Sequence, residues 1–232
     1  MSHVRILQID VPAPQLEAAV DFWAGALSAT PRDAPGAFVH LVDARSAIEV
    51  HVQATGDPVA RYHLDIEAVD RDAEVARLTG VGARELARFD GGYTVLHDPA
   101  GLALCVIDPD AATPTPVVAA RGEHGHLDAI HLDVPGEHAR DATTFWAALL
   151  GLPPASVWQL DGPGGTLALA VTATDAAAAR LRVALSASEP AAEVDRLVGL
   201  GALRCGDSDG STRLCDPAGN PVEVVARTRS PM

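Results

Sequence analysis

The sequence is poor in aromatic residues and in basic residues, and each shortage excludes a class of protein. Aromatic residues make up 4% of the 232 positions, fewer than a pocket that stacks a large flat ligand calls for. The sequence has only 17 lysines and arginines but 31 acidic residues, which gives a net charge of -14. Nucleic acid and anionic membranes are therefore excluded as expected partners, since both require basic surface.

Cysteine and long apolar runs are also scarce. The three cysteines, Cys105, Cys205 and Cys215, form no CxxC pair, so we expect neither a structural zinc knot nor a disulfide framework. Such a sparse set suggests a reducing compartment. No apolar run approaches the roughly 20 residues of a membrane helix, and the first residues lack a secretory signal pattern. We expect a soluble cytoplasmic protein.

Four short motifs each occur twice, in the same order. The offset changes only from 123 residues, between positions 8 and 131, to 118, between positions 98 and 216. Repetition at nearly constant offset indicates an internal duplication. It predicts one domain at 1–110 and a second at 125–232, joined by a linker at 111–124 that is rich in proline and alanine. The motif pairs are 8–12 with 131–135, 22–24 with 145–147, 73–78 with 192–197, and 98–101 with 216–219.

Each half contains two rounds of strand, helix and strands. Strict alternation of apolar and polar residues predicts strands at 3–11 and 61–67. Apolar residues at three- and four-residue steps predict helices at 15–27 and about 70–79. Further strands are predicted at 37–43, 47–54, 83–88, 92–97 and 102–108.

The alternation leaves one sheet face polar in the first half. Exposed faces favour Lys, Arg, Glu and Thr, whereas this face carries amides, carboxylates and imidazoles, which are metal ligands and proton carriers. A face of this kind points to a cleft that holds a small molecule rather than to a plain solvated surface. The residues are Gln8, Asp10, Glu49, His51, His63 and Asp65.

The combination of paired rounds, Phe-Trp helices, a His-Leu-Asp-Ile strand and Asp-Pro-Ala-Gly turns resembles the vicinal oxygen chelate superfamily. The resemblance covers nearly the whole chain and is closest to tandem glyoxalase-like or bleomycin-resistance-like domains. It implies an α+β protein of two tandem glyoxalase-like domains. Each domain would contain two βαβββ modules that form a cupped mixed sheet with helices on the outside.

The resemblance also implies a divalent metal in the first half, held by Gln8, Glu49 and His63. Oxygen and nitrogen donors favour Zn, Ni, Mn, Fe or Mg. Glu49 and His51 are the candidate catalytic residues for moving a proton. Cys105 stands where metal enzymes of the family usually have Glu, as a soft fourth ligand, a substrate contact or a small buried side chain.

The second half departs further from the pattern. It has His131 at the position of Gln8, Ala168 at that of Glu49, Arg182 at that of His63, and Glu223 at that of Cys105. A cation at a ligand position repels a metal, so Arg182 is expected to pair with Glu223 or to hold a ligand carboxylate. His131, Arg182 and Glu223 are therefore substrate-binding candidates, and we expect at most one metal per chain.

Three functions stay open at this point. The resemblance implies a metal-dependent lyase or isomerase that acts on a small molecule, an antibiotic-type binding or resistance protein without chemistry, or an extradiol-type dioxygenase. The acidic charge and incomplete ligand sets favour the binding protein, whereas the scarcity of aromatic residues opposes it. Cups of this family close within one chain or across two, so a homodimer is compatible with the resemblance.

Overall fold

The first half folds as two rounds of strand, helix and three strands. In this computed structural model the described residues are 2–33, 37–43, 46–109, 125–162, 165–208 and 210–227. The predicted linker at 111–124 lies outside them. The elements of the first half are β1 (His3–Pro12), α1 (Leu16–Leu27), β2 (Thr30–Asp33), β3 (Phe38–Val42), β4 (Glu49–Thr55), β5 (Arg61–Glu67), α2 (Arg71–Gly80), β6 (Arg84–Phe89), β7 (Tyr93–His97) and β8 (Ala103–Ile107).

The second half repeats this order with one strand fewer among its described residues. No strand follows α3 at the position of β2, where Pro153 and Pro154 cannot donate ladder hydrogen bonds. Its elements are β9 (His126–Pro135), α3 (Ala139–Leu150), β10 (Val157–Gly162), β11 (Gly165–Thr174), β12 (Arg180–Ala187), α4 (Pro190–Gly199), β13 (Leu203–Ser208), β14 (Ser211–Cys215) and β15 (Pro221–Ala226).

Each half forms one mixed sheet. The strand order is β2-β3-β4-β1-β5-β8-β7-β6 in the first and β10-β11-β9-β12-β15-β14-β13 in the second. β1 therefore lies between β4, to which it is parallel, and β5, to which it is antiparallel. β9 has the same two relations to β11 and β12. The predicted α+β class with two tandem domains is confirmed.

One face of each sheet packs against the helices of the same half. On β1, Leu7, Ile9 and Val11 are fully buried, and on α1, Phe22 and Trp23 are fully buried in the same cluster. Burial of large apolar side chains of this kind stabilises the fold by roughly 1.5–3 kcal/mol each. The opposite face of the sheet, called the cup face, carries the polar residues of the alternation.

The two halves join through reciprocal tryptophan contacts. Trp23 Nε1 donates to Asp216 Oδ2 at 2.9 Å, and Trp146 Nε1 donates to Asp98 Oδ2 at 2.9 Å. Each aspartate opens an Asp-Pro-Ala-Gly turn and also accepts backbone N–H groups of that turn. Two of the repeated motifs, the Phe-Trp helix and the turn, therefore bind each other across the junction.

A second reciprocal contact involves the other repeated helix motif. Arg77 donates to the carbonyl of Ala148 at the end of α3, and Arg196 donates to the carbonyl of Gly25 near the end of α1. Cations at helix C-termini are favourable because the terminal carbonyls lack intrahelical partners. The junction is tight: a Cβ on Gly162 would lie 1.9 Å from the carbonyl oxygen of Ala47.

Cys205 and Cys215 form a disulfide between β13 and β14, with an S–S distance of 2.13 Å. The sparse cysteine count did not predict this bond, and the expectation that no disulfide framework exists is corrected by it. Cys105 is buried and free. None of the helices in the described ranges is long and apolar enough to cross a membrane.

Candidate functional site

Strand pairing places the polar residues of the first-half cup face in three rows. Within a row, neighbouring residues lie on adjacent strands about 4.8 Å apart, and their side chains point to the same side of the sheet. The first row is Gln53, Asp10 and Arg61; the second is His51, Gln8 and His63; the third is Glu49, Ile6, Asp65 and Cys105.

His63 is the centre of the tightest polar cluster. Its Nδ1 lies 2.9 Å from Asp10 Oδ2, and its Nε2 lies 3.2 Å from Asp65 Oδ1. Gln8 Nε2 donates to Asp65 Oδ2 at 3.1 Å, while Gln8 Oε1 is buried without a hydrogen-bond partner. One ligand atom each from His63, Asp65 and Cys105 lies within 4.8 Å of the others. We call these three residues, with Asp10 and Gln8, the His63 cluster.

The electrostatics of the cluster follow from its burial and its two carboxylates. Burial acts to lower the pKa of His63, but hydrogen bonds with Asp10 and Asp65 outweigh it and raise that pKa well above 6.5. Burial raises the pKa of the Cys105 thiol. Folding therefore favours the protonated ring of His63 and the neutral thiol of Cys105.

Glu49 and His51 do not belong to this cluster. Glu49 shares the third row with Asp65, but β1 runs between their strands and places Ile6, 8% exposed, between the two side chains. The Glu49 carboxylate instead accepts hydrogen bonds from Arg5 Nε at 2.9 Å and pairs with His51 Nε2 at 3.1 Å. Burial acts to raise the pKa of Glu49, but contacts with His51 and Arg5 lower it overall.

The separation extends to two cavities. A cavity of about 370 Å³ is lined by Gln8, His63, Asp65 and Cys105, together with the hairpin residues around Tyr93. A larger cavity of about 680 Å³ is lined by Glu49, His51, the N-terminal end of β1 and β3, and by α3 and β10 of the second half. Both volumes fall in the range of small-ligand sites.

A stacked pair of imidazoles lies on the wall of the larger cavity. His40 on β3 faces His51 with ring centroids 3.8 Å apart and planes inclined by 3°. His51 extends the second row toward Gln8, which lines the smaller cavity. His51 of the larger cavity and Gln8 of the smaller cavity are therefore neighbours across β4 and β1.

In the second half a guanidinium fills the equivalent of the His63 position. Arg182, 7% exposed, donates through Nε and Nη2 to both oxygens of Asp133, at 2.9 and 3.0 Å. Its Nη1 pairs with Glu223, which also accepts a hydrogen bond from Ser211. Arg182 is therefore paired with Glu223, and its guanidinium lies between the carboxylates of Asp133 and Glu223.

His131 completes the second-half row. Its Nδ1 lies 3.3 Å from Thr172 Oγ1, and its register partners are Arg182 and Ala170. Burial lowers the pKa of His131, and the nearby charge of Arg182 adds to that effect. Ala168 offers no donor, as expected from the sequence. A divalent ion beside a buried guanidinium would be repelled, so these residues do not fit a metal.

The His63 cluster fits a divalent metal by the chemistry of its donors. It contains an imidazole, a carboxylate and a thiol within reach of one ion, and the buried Gln8 Oε1 has no hydrogen-bond partner. Asp10, on the other imidazole nitrogen, is the orienting carboxylate that metal-bound histidines usually have. The family pattern suggests Glu49 as a ligand, but Glu49 lies on β4, two strands away from His63 on β5. The sequence places Asp65 on the polar face and Cys105 at a ligand position of the family, but only the strand order makes them neighbours.

The sequence matches the family model described as "Glyoxalase-like domain" twice, at residues 7–107 and 129–225. The chain belongs to this family. The two matches correspond to the two halves and to the two sheets. No curated protein matches the sequence significantly.

Solved structures of the same fold include metal-bound and oxygen-inserting enzymes. The Mn(II)-bound glyoxalase from Novosphingobium aromaticivorans has a TM-score of 0.61 at 18% identity, with 97% of this chain and 83% of that chain covered. The 2,2',3-trihydroxybiphenyl 1,2-dioxygenase from Sphingomonas wittichii has a TM-score of 0.59 at 15% identity, covering 97% and 90%. Homoprotocatechuate 2,3-dioxygenase from Arthrobacter globiformis has a TM-score of 0.61 at 14% identity, covering 97% and 79%. At these identities the likeness shows the fold.

Proposed function

We propose that this glyoxalase-like protein binds a divalent metal beside His63 and a small oxygen-bearing molecule in the cup of the first half. The observation that carries the proposal is the difference between the two cups. The first contains metal donors next to a cavity, whereas the second contains Arg182 clamped between Asp133 and Glu223. A Mn(II)-bound glyoxalase among the similar structures supports metal chemistry on this fold.

The reaction class we propose is a lyase or isomerase step that moves a proton. A bound metal would polarise an oxygen of the substrate and stabilise the anion formed when a proton leaves the adjacent carbon. The chain supplies the orienting groups: Asp10 fixes the His63 ring through Nδ1, and Gln8 holds Asp65 through its amide.

Glu49 and His51 are the proposed proton carriers. Glu49 is ionised at neutral pH because its pKa is lowered, and it fixes one nitrogen of His51. The other ring nitrogen is then the one left to exchange a proton with a substrate. His51 lies one strand from Gln8 and two strands from His63 in the same row, so a small molecule that extends along this row would reach both His51 and His63.

Metal analysis of protein purified without added metal or chelator tests this proposal. We expect close to one equivalent of metal per chain, lost in His63→Ala and kept in His131→Ala, which removes the cup-face histidine of the second half at the position of Gln8. Addition of the metal should then increase the thermal shift produced by small molecules with two adjacent oxygens. Protein that binds no divalent metal, or that keeps it in His63→Ala, would overturn the proposal.

A further inference from the structure

Resting on the metal site proposed above, we infer that its ligands are the imidazole of His63, the carboxylate of Asp65 and the thiolate of Cys105. The ion that fits this set is a zinc-type cation rather than magnesium or manganese. The inference concerns which atoms bind the metal, and it excludes Glu49 from them. The ligand set can therefore be wrong while the proposal that a metal is bound stays correct.

Strand register brings the three donors together. Asp65 lies two residues after His63 on β5, so both side chains point to the cup face. Cys105 is the direct partner of Asp65 on β8, which runs parallel to β5. The ligand atoms consequently lie within 4.8 Å of one another, a spacing that a single ion can bridge with small rotamer changes.

The surroundings of the three donors are those of a ligand set rather than of a surface cluster. Asp65 is 4% exposed and Cys105 is 8% exposed, and both line the cavity of about 370 Å³. Gln8 Oε1 is a buried atom without a hydrogen-bond partner, and Asp65 Oδ1 pairs with His63 Nε2 at 3.2 Å. A buried polar atom left unsatisfied is unfavourable, and a cation beside Asp65 would give Gln8 Oε1 a partner.

Asp10 and Gln8 are the positioning residues of the set. Asp10 Oδ2 is hydrogen-bonded to His63 Nδ1, so Nε2 is the nitrogen that faces Asp65 and Cys105. Gln8 reaches Asp65 from the neighbouring strand through its amide nitrogen. Carboxylates that orient a metal-bound histidine in this way typically change metal affinity by about 10–100-fold when they are removed.

Two observations exclude Glu49. Ile6 occupies the row between Glu49 and Asp65, and the Glu49 carboxylate already pairs with Arg5 and His51. Moving Glu49 to His63 would break both pairs and require it to cross β1. Cys105 and Asp65 need no such movement.

The thiol decides the class of metal. Thiolate is a soft ligand that selects zinc and similar ions, whereas magnesium and manganese prefer sets made of oxygen donors. A bound cation removes the thiol proton, which passes to solvent, so the charge of the ion is partly balanced by the thiolate and the Asp65 carboxylate.

Cobalt(II) is the probe, because its bonds to thiolate absorb in the near ultraviolet while its bonds to oxygen do not. The full chain, freed of metal with a chelator, is titrated with Co(II) and then with Zn(II). We expect a thiolate-to-cobalt band that saturates near one equivalent and is displaced by zinc. Cys105→Ser should abolish the band, and Asp10→Asn should weaken cobalt binding by about 10–100-fold. Glu49→Gln should leave the band and the cobalt affinity unchanged.

The outcomes separate the two proposals. Cobalt that binds without a thiolate band, or binding that Glu49→Gln abolishes, overturns this ligand set but leaves the metal-dependent function standing. Absence of binding by Co(II), Zn(II), Mn(II), Ni(II), Fe(II) and Mg(II) overturns both. The spectrum of the wild-type protein tests the thiolate bond to cobalt without any substitution. Urea midpoints of Cys105→Ser and Glu49→Gln show whether each variant is folded.

Discussion

The two halves of the molecule share a junction and differ in their cups. Of the three cup-face rows, one is largely retained, with Asp133 and Arg180 at the positions of Asp10 and Arg61. The other two have lost most of their donors. In the second half these rows are Ala170, His131 and Arg182, followed by Ala168, Ala129, Ala184 and Glu223.

A cation between two carboxylates occurs in both cups despite this divergence. In the first half His63 lies between Asp10 and Asp65, and in the second Arg182 lies between Asp133 and Glu223. Asp10 and Asp133 occupy equivalent positions in the two halves. The second carboxylate lies on β5 in the first half, whereas in the second half it lies on β15, the counterpart of β8. An imidazole can exchange its proton for a metal, but a guanidinium cannot lose its charge at any ordinary pH. The exchange of His for Arg therefore turns an open site into a fixed ion pair.

Three of the four repeated motifs that reveal the duplication lie at the junction. The Phe-Trp helices, the helices that carry Arg77 and Arg196, and the Asp-Pro-Ala-Gly turns make reciprocal contacts across it. Each of these motifs contacts a different repeated motif of the other half, so a change in one copy disturbs a contact with the other half. A cup has no such partner, which leaves each cup free to diverge on its own.

Removal of Arg182 should have the largest effect on stability. Arg182→Ala leaves the buried carboxylates of Asp133 and Glu223 facing each other, and the loss of one member of a buried ion pair typically costs about 3–5 kcal/mol. Arg180→Ala, on the same strand but exposed, should cost less than about 1 kcal/mol. Urea denaturation measures both. Equal, small losses would show that the second cup is not closed by its ion pair.

Loss of the disulfide should rank second and act on the second half alone. The bond closes a short loop between β13 and β14, for which chain entropy predicts about 2–3 kcal/mol. The matching hairpin of the first half has Leu86 and His97 at these positions. Reductant should therefore lower the urea midpoint of the wild-type protein and leave the Cys205→Ser/Cys215→Ser variant unchanged. A shift in that variant would point to another reducible bond.

The fold could be predicted from the sequence because its signals are local. Alternation predicted β5 at its observed bounds, 61–67, and apolar residues at three- and four-residue steps predicted α1 to within one residue. β2 was missed, since Thr30–Asp33 is short, exposed and contains a proline, so it has no apolar alternation. The position-by-position match of the halves is reproduced by the register, in which Gln8 pairs with His63 and His131 with Arg182.

The His63 cluster could be predicted only in part. Gln8, His63 and Asp65 were recognised as residues of one polar face, but which of them meet depends on the order of strands in the sheet. β8 lies beside β5 although 35 residues, 68–102, lie between Glu67 and Ala103 along the chain, and β1 separates β4 from β5. The family pattern therefore suggested Glu49 as a ligand, with Cys105 as a soft fourth one, whereas the strand order places Cys105 beside Asp65 and separates Glu49 from both.

Disruption of the junction should affect its two reciprocal contacts unequally. Trp23→Phe and Trp146→Phe each remove the hydrogen bond to a buried aspartate of the other half while keeping an aromatic ring. Asp98 Oδ2 then loses its tryptophan donor, which typically costs about 1–3 kcal/mol, whereas Asp216 Oδ2 still accepts from Asn220 Nδ2 at 3.1 Å. Urea denaturation should therefore give a larger loss for Trp146→Phe than for Trp23→Phe. Equal losses would mean that the bond from Asn220 does not compensate for the missing tryptophan.

The smallest expected effects are the opposite titrations of His63 and His131 in metal-free protein. For His63, hydrogen bonds with Asp10 and Asp65 raise the pKa well above 6.5 in spite of burial, so folding favours the protonated ring. Its contribution to stability is complete below pH 6.5 and disappears as the pH rises through the folded-state pKa. For His131, burial and Arg182 lower the pKa, so folding favours the neutral ring. Its contribution is present above pH 6.5 and decreases as the pH falls through the folded-state pKa.

Imidazole resonances in NMR spectra recorded across a pH series measure both pKa values directly. His63→Gln and His131→Gln assign the signals and should change the pH dependence of the urea midpoint in opposite directions. Equal titration of the two rings near pH 6.5 would contradict the difference between the cups. In that case the carboxylates around His63 would not raise its pKa as their distances imply. The contrast between an open first cup and a closed second cup would then lack its electrostatic basis.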